Sequence, residues 1–83
     1  MQIPVTFYSY FKELTGVERV TVDLPEGSKI ADLSAIIFRD YPKMETMKRS
    51  TLIAVGVEYQ DESYELQPGD EVSLFPPVQG GSF

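Results

Sequence analysis

The chain opens in strict alternation. Ile3, Val5 and Phe7 are interleaved with Pro4, Thr6 and Tyr8, the period-two pattern of a strand with one face buried. Pro4 cannot donate to a ladder, which restricts that stretch to a strand end or edge. From Ser9 to Thr15 the alternation breaks, and Phe11 and Leu14, three apart, predict a short helical turn before Gly16 lets the chain reverse. Val20, Val22 and Leu24 alternate with Arg19, Thr21 and Asp23 in a second strand, antiparallel to the first, which Pro25-Glu26-Gly27 stops. The period then changes. Ile30, Leu33, Ile37 and Tyr41 recur at three- and four-residue spacing, widened by Ile36 and Phe38, while Lys29, Asp32, Arg39 and Asp40 fall largely on the other side. This predicts the one long helix, N-capped by Ser28 and ended by Pro42.

Lys43 to Ser50 reads as a polar connection, with Met44 and Met47 either packed beneath it as gap-fillers, the favoured reading, or forming a sticky surface for a partner. Leu52 to Val57 is a continuous apolar run around Gly56, which predicts a central strand buried on both faces. Glu58 to Glu65 is an acidic turn region with room for a short edge strand, and Leu66-Gln67-Pro68-Gly69-Asp70 is a tight turn. The last strand runs through Val72 and Leu74. Strand, strand, helix, strand, minor strand, strand makes one mixed sheet of four to five strands with the helix across one face. That is an α+β, β-grasp-like arrangement. In it the last strand lies beside the first, parallel, in the sheet centre. The expected domain covers residues 1–77, followed by a flexible C-terminal tail over 78–83.

Composition narrows the chemistry more than the fold. The 83 residues contain no cysteine and no histidine, so thiolate metal sites, cysteine nucleophiles and the commonest general base are all absent. The acidic pairs Asp61-Glu62 and Asp70-Glu71 fall in predicted turns, where solvation accounts for them; a catalytic dyad needs a dry cleft. No apolar run approaches the ~20 residues that cross a bilayer, and the N-terminus lacks a signal-peptide pattern. A cytoplasmic location is expected.

The net charge of −6 is concentrated in one half. Residues 1–49 balance seven bases against seven acids, whereas residues 50–83 hold Glu58, Asp61, Glu62, Glu65, Asp70 and Glu71 and no base. Such a surface repels nucleic acid and anionic membrane and favours a basic protein surface; solubility is the plainer explanation of the same charges.

The most informative stretch is the last. Glu71 to Phe75 has strand-forming residue types, and Pro76-Pro77 ends it at once, because proline cannot continue a ladder. Val78-Gln79-Gly80-Gly81-Ser82-Phe83 follows. Paired glycines make a segment slim enough to enter a narrow cleft, and from Val78 to Phe83 an extended tail reaches about 20 Å. Gly-Gly pairs alone are common. A pair set just beyond a strand-ending Pro-Pro, on a chain with no other chemistry, points to a domain that serves as the handle for its own terminus.

Asp70-Glu71-Val72-Ser73-Leu74-Phe75-Pro76-Pro77-Val78-Gln79-Gly80-Gly81 resembles the C-terminal signature of the MoaD/ThiS-type sulfur carriers, in particular the MoaD branch. Val5-Thr6-Phe7-Tyr8 and Phe11-Lys12-Glu13-Leu14-Thr15-Gly16 resemble the same family's first strand and helical turn, so the likeness spans essentially the whole chain. It implies a ubiquitin-like fold and a carrier rather than an enzyme. It implies that Gly81 is adenylated with ATP by an E1-like activating enzyme and converted to a thiocarboxylate, the chain itself holding no cofactor or metal. Gly80, Gln79 and Val78 would thread the partner's site, with Phe75, Pro76 and Pro77 at the contact surface. In the MoaD branch that partner is the large subunit of molybdopterin synthase, and the sulfur goes to a precursor pterin in molybdenum cofactor biosynthesis.

The chain departs from the pattern in one place. The family's MoaD-type members end at the second glycine, whereas here Ser82-Phe83 follows, which locks the Gly81 carbonyl in an amide. The resemblance then implies a precursor whose extension is removed, as a metalloprotease does for some relatives that serve thiocarboxylate siderophore or cysteine and homocysteine synthesis. Those pathways, a ubiquitin-like modifier joined through Gly81 to lysines, and a plain interaction module are the alternatives to molybdenum cofactor synthesis.

Overall fold

The computed structural model describes residues 1–77. Five strands, β1 (Gln2–Phe7), β2 (Arg19–Asp23), β3 (Leu52–Val55), β4 (Glu58–Tyr59) and β5 (Val72–Phe75), form one sheet in the order β2-β1-β5-β3-β4. Two helices accompany it, α1 (Tyr10–Thr15) and α2 (Ile30–Asp40), with a 3₁₀ helix over Pro42–Ser50. β1 and β2 are antiparallel, β1 and β5 parallel, and β5, β3 and β4 antiparallel in turn. The mixed sheet and its crossover helix are the β-grasp arrangement that the order of elements predicts.

The alternation in β1 survives intact. Ile3, Val5 and Phe7 are fully buried and Tyr8 is exposed. Val72 and Leu74 of β5 enter the same core, which α2 closes with Ile30, Leu33 and Ile37. Fully burying side chains of this size stabilises by roughly 1.5–3 kcal/mol each. Pro4 sits within β1 without costing a bond. Phe7 N donates to Glu18 O, so odd positions of β1 face β2. The ring nitrogen of Pro4 therefore faces β5, whose pairing begins only at Val5–Val72. Locally, β1 is an edge there.

Three expectations are corrected. Ser28 does not cap α2; its buried hydroxyl donates to Pro25 O at 2.7 Å. The cap position is Lys29, whose N–H donates to the Asp32 carboxylate at 2.8 Å. The first helical amides, Ile30 N and Ala31 N, donate to the carbonyls of Tyr64 and Glu62. A distant loop thus does the work assigned to a neighbouring side chain.

The stretch from Lys43 is more than a polar connection. It is helical, with Met44 fully buried and Met47 packed against the core; side chains three apart eclipse on a 3₁₀ helix, so both methionines face inward.

The run from Leu52 to Val57 is not a central strand buried on both faces. β3 lies one strand from the edge, Leu52 is exposed, and Val57 at 99% exposure is a hairpin tip. Gly56, at φ 61, takes the first loop position of that two-residue turn. Among the described residues only one face of the sheet carries a covering layer.

The turn before β5 forms as expected. Asp70 N donates to Gln67 O at 3.0 Å, and Gly69 has φ 93. The Asp70 carboxylate also accepts from Gln67 N and from the Tyr64 hydroxyl. No helix among the described residues is long and apolar enough to cross a membrane.

Two measurements test these assignments. Leu74→Ala, which opens a cavity under the central strand, is expected to cost about 2–5 kcal/mol in chemical denaturation. The bond to Asp70 holds the Tyr64 hydroxyl above its ordinary pKa, with burial and the nearby carboxylates adding to it. A raised pKa means stability that is present below about pH 10 and lost as the pH rises further. Wild type is therefore expected to lose stability more steeply in alkali than Tyr64→Phe, the two converging at high pH.

Candidate functional site

β5 runs along the middle of the sheet and ends at Phe75, with Pro76 and Pro77 half-buried just beyond it. Tyr8 N donates to Leu74 O at 3.1 Å, which extends the β1–β5 ladder to the exit point. One consequence is that Tyr8 and Phe75 emerge side by side on the open face. Their rings stack at 4.6 Å between centroids and 11° between planes. Tyr59 of β4 meets Phe75 edge-on at 6.4 Å and 72°, and Leu52 stands opposite Phe75 in the β3–β5 register.

These side chains, with Ser9, Pro76 and Pro77, line a groove of about 450 Å³. Among the described residues no ionic side chain lines it. Its large members are left uncovered, with Tyr8 42%, Leu52 37% and Tyr59 68% exposed. An open aromatic-aliphatic surface of this kind, stiffened by two prolines, suits a protein contact.

A larger groove of about 710 Å³ shares Leu52 and Tyr59 but lies toward α2 and the 3₁₀ helix. Its lining mixes Lys48 and Arg49 with Glu45, Asp61 and Glu62, so it carries both signs of charge.

The structure places Phe75, Pro76 and Pro77, the expected contact residues, along one wall of the smaller groove. Val78, Gln79, Gly80, Gly81, Ser82 and Phe83 lie outside the described residues. Sequence reasoning missed Tyr8, Ser9, Leu52 and Tyr59. Tyr8 had a usable signal: it is the next outward position of β1, and parallel pairing with β5 sets it beside Phe75. Tyr59 had none, because its place depends on the register of the β3–β4 hairpin.

The acidic turns are braces. Asp61 accepts from both the N–H and the hydroxyl of Ser63, which hold its carboxyl below its usual pKa. Asp70 is occupied in its own turn. Among the described residues no three potential metal ligands come together.

Fold and groove define a β-grasp domain that presents the end of its central strand beside an uncharged aromatic surface. The ThiS family model matches residues 5–81 of the chain. The protein belongs to this ThiS/MoaD family. It is 34% identical to the molybdopterin synthase sulfur carrier subunit of Chlamydomonas reinhardtii, over 98% of this chain and 100% of that one. Among solved structures it resembles one chain in the complex of subunits 1 and 2 of the molybdopterin-converting factor from Helicobacter pylori. The two are 27% identical with a TM-score of 0.72, covering 98% of this chain and 100% of that one. SAMP1 from Haloferax volcanii shares the fold with a TM-score of 0.84 at 22% identity, over 98% of this chain and 100% of that one.

The Tyr8–Phe75 stack is testable by a double-mutant cycle. Tyr8→Ala and Phe75→Ala are expected to show a coupling energy of about 0.5–1.5 kcal/mol in unfolding; additive effects would mean that the rings do not stack in solution.

Proposed function

We propose that the protein is a sulfur carrier that delivers sulfur from Gly81 in molybdenum cofactor biosynthesis. It would act as the small subunit of a molybdopterin synthase, with catalysis in the partner subunit. The observation that carries this reading is end-to-end likeness to a sulfur carrier subunit, 34% over 98% of the chain, together with a family match that runs through Gly81 and stops there. The aromatic groove supports it physically. A partner seated on Tyr8, Phe75 and Pro76 would receive the segment from Val78 to Gly81 directly from the sheet, so docking and delivery would share one anchor.

The chemistry requires a free Gly81 carboxylate, and in this sequence Gly81 is joined to Ser82. On this reading a protease, in keeping with the family's metalloprotease-trimmed members, cleaves that peptide bond. A carboxylate oxygen of Gly81 then attacks the α-phosphate of ATP on an E1-like activating enzyme, and pyrophosphate leaves. Hydrosulfide from a sulfide-level donor adds to the acyl carbon of the resulting adenylate and expels AMP, and loss of the S–H proton leaves a thiocarboxylate. Adenylation is needed because a carboxylate is a poor acyl electrophile, and the mixed anhydride supplies the leaving group. Gly80 would keep the approach slim, and Gln79 and Val78 would line the partner's channel. The partner is then the large subunit, as in the two-subunit Helicobacter pylori assembly.

The test is intact mass after incubation with ATP, an activating enzyme and a sulfur donor. The form ending at Gly81 is expected to exchange one oxygen for sulfur, and the chain bearing Ser82-Phe83 to stay unchanged. If the Gly81-ended form never gains sulfur, the carrier reading fails; isopeptide-linked lysine products would favour a modifier. Gly81→Ala in the trimmed form is expected to abolish or strongly reduce transfer while leaving the melting curve nearly unchanged.

A further inference from the structure

Ser9 occupies a backbone conformation that a serine has no local reason to hold. Its φ of 57 and ψ of −130 place it at positive φ outside the left-handed helical well, and it is the one non-glycine residue with positive φ among the described residues. Glycine enters this region freely, and other residues only at a cost. Serine before a helix is ordinarily explained by capping, its oxygen accepting from an amide of the first turn. Here the hydroxyl makes no cap bond. Among the described residues only the backbone of Ser9 is engaged, its carbonyl accepting from Lys12 N at 3.0 Å. Neither backbone geometry nor helix capping therefore accounts for serine at this position.

Its surroundings do. Ser9 lines the groove with Tyr8, Leu52, Tyr59, Phe75, Pro76 and Pro77. Among these it offers the only aliphatic hydroxyl, and it sits on an exposed residue next to the Tyr8–Phe75 stack. A neutral group that both donates and accepts, set in an uncharged groove walled by rings and prolines, matches the amide groups of an extended peptide.

We infer that Ser9 is a binding residue of this groove, kept at the expense of backbone strain so that its Oγ can hydrogen-bond the main chain of the docked partner. The inference rests on the carrier reading and deepens it: the partner is the sulfur-accepting large subunit, and the contact is to its backbone. It also predicts opposite signs for stability and binding, which a merely structural role does not.

The experiment measures melting temperature and calorimetric binding to the recombinant large subunit from the same organism. Wild type, Ser9→Gly and Ser9→Ala are compared, each as the full chain and as the form ending at Gly81. Ser9→Gly relaxes the backbone and is expected to melt roughly 2–6 °C higher while binding roughly three- to tenfold more weakly. Ser9→Ala keeps the strain without the hydroxyl. It is expected to melt within about 2 °C of wild type and to bind as weakly as Ser9→Gly. Both variants binding within about twofold of wild type, or a Ser9→Gly chain that melts no higher, overturns the assignment of Ser9 alone. Wild type that fails to bind in either form overturns the carrier reading, and the Ser9 assignment with it.

Discussion

The parallel pairing of β1 with β5 is the constraint on which the other features hang. These strands are the most separated in sequence, yet Val5–Val72, Thr6–Ser73 and Phe7–Leu74 stand side by side at the middle of the sheet. Closing so long a loop costs conformational entropy before any contact is made. The compensation is burial: Val5, Phe7, Val72 and Leu74 enter the core almost completely. Because β5 is flanked on both sides, by β1 and β3, its end is among the best-held points of the fold. Whatever follows Pro77 starts from a rigid origin.

The same pairing builds the surface beside that origin. Successive residues of a strand face opposite ways, so a register that sends Phe7 and Leu74 inward sends Tyr8 and Phe75 outward together. The core and the groove are two sides of one alignment. A one-residue slip of β5 would exchange them, burying Phe75 and exposing Val72 and Leu74. Core and groove are thus fixed by a single register, and the cost of a slip protects both.

The open face also explains why the chain reads poorly between Lys43 and Tyr59. A two-layer fold buries one face of its sheet, so an apolar run such as Leu52–Val57 need not be interior. Leu52 and Val57 are apolar for different reasons, one as part of the groove and the other at a hairpin tip. The 3₁₀ helix was legible only in the spacing of Met44 and Met47, which its charged neighbours obscure. In the same way the first amides of α2 depend on carbonyls from Glu62 and Tyr64, and local capping rules cannot see a partner thirty residues away.

What the amino-acid order determined by itself is whatever depends on near neighbours. The alternation of β1 and β2, the stripe of α2 and its stop at Pro42, the turn at Pro68-Gly69 and the Pro-Pro break after Phe75 are all set by period, by fixed φ or by a missing donor. The order of elements then allowed few topologies, and the C-terminal Pro-Pro and Gly-Gly stretch carried the family resemblance. Tertiary structure decided the rest: which apolar residues meet water, what caps α2, and that Tyr8, Ser9, Leu52 and Tyr59 assemble around Phe75. Those facts arise from strand register and from long-range contacts, whose energies belong to pairs of residues far apart in the chain.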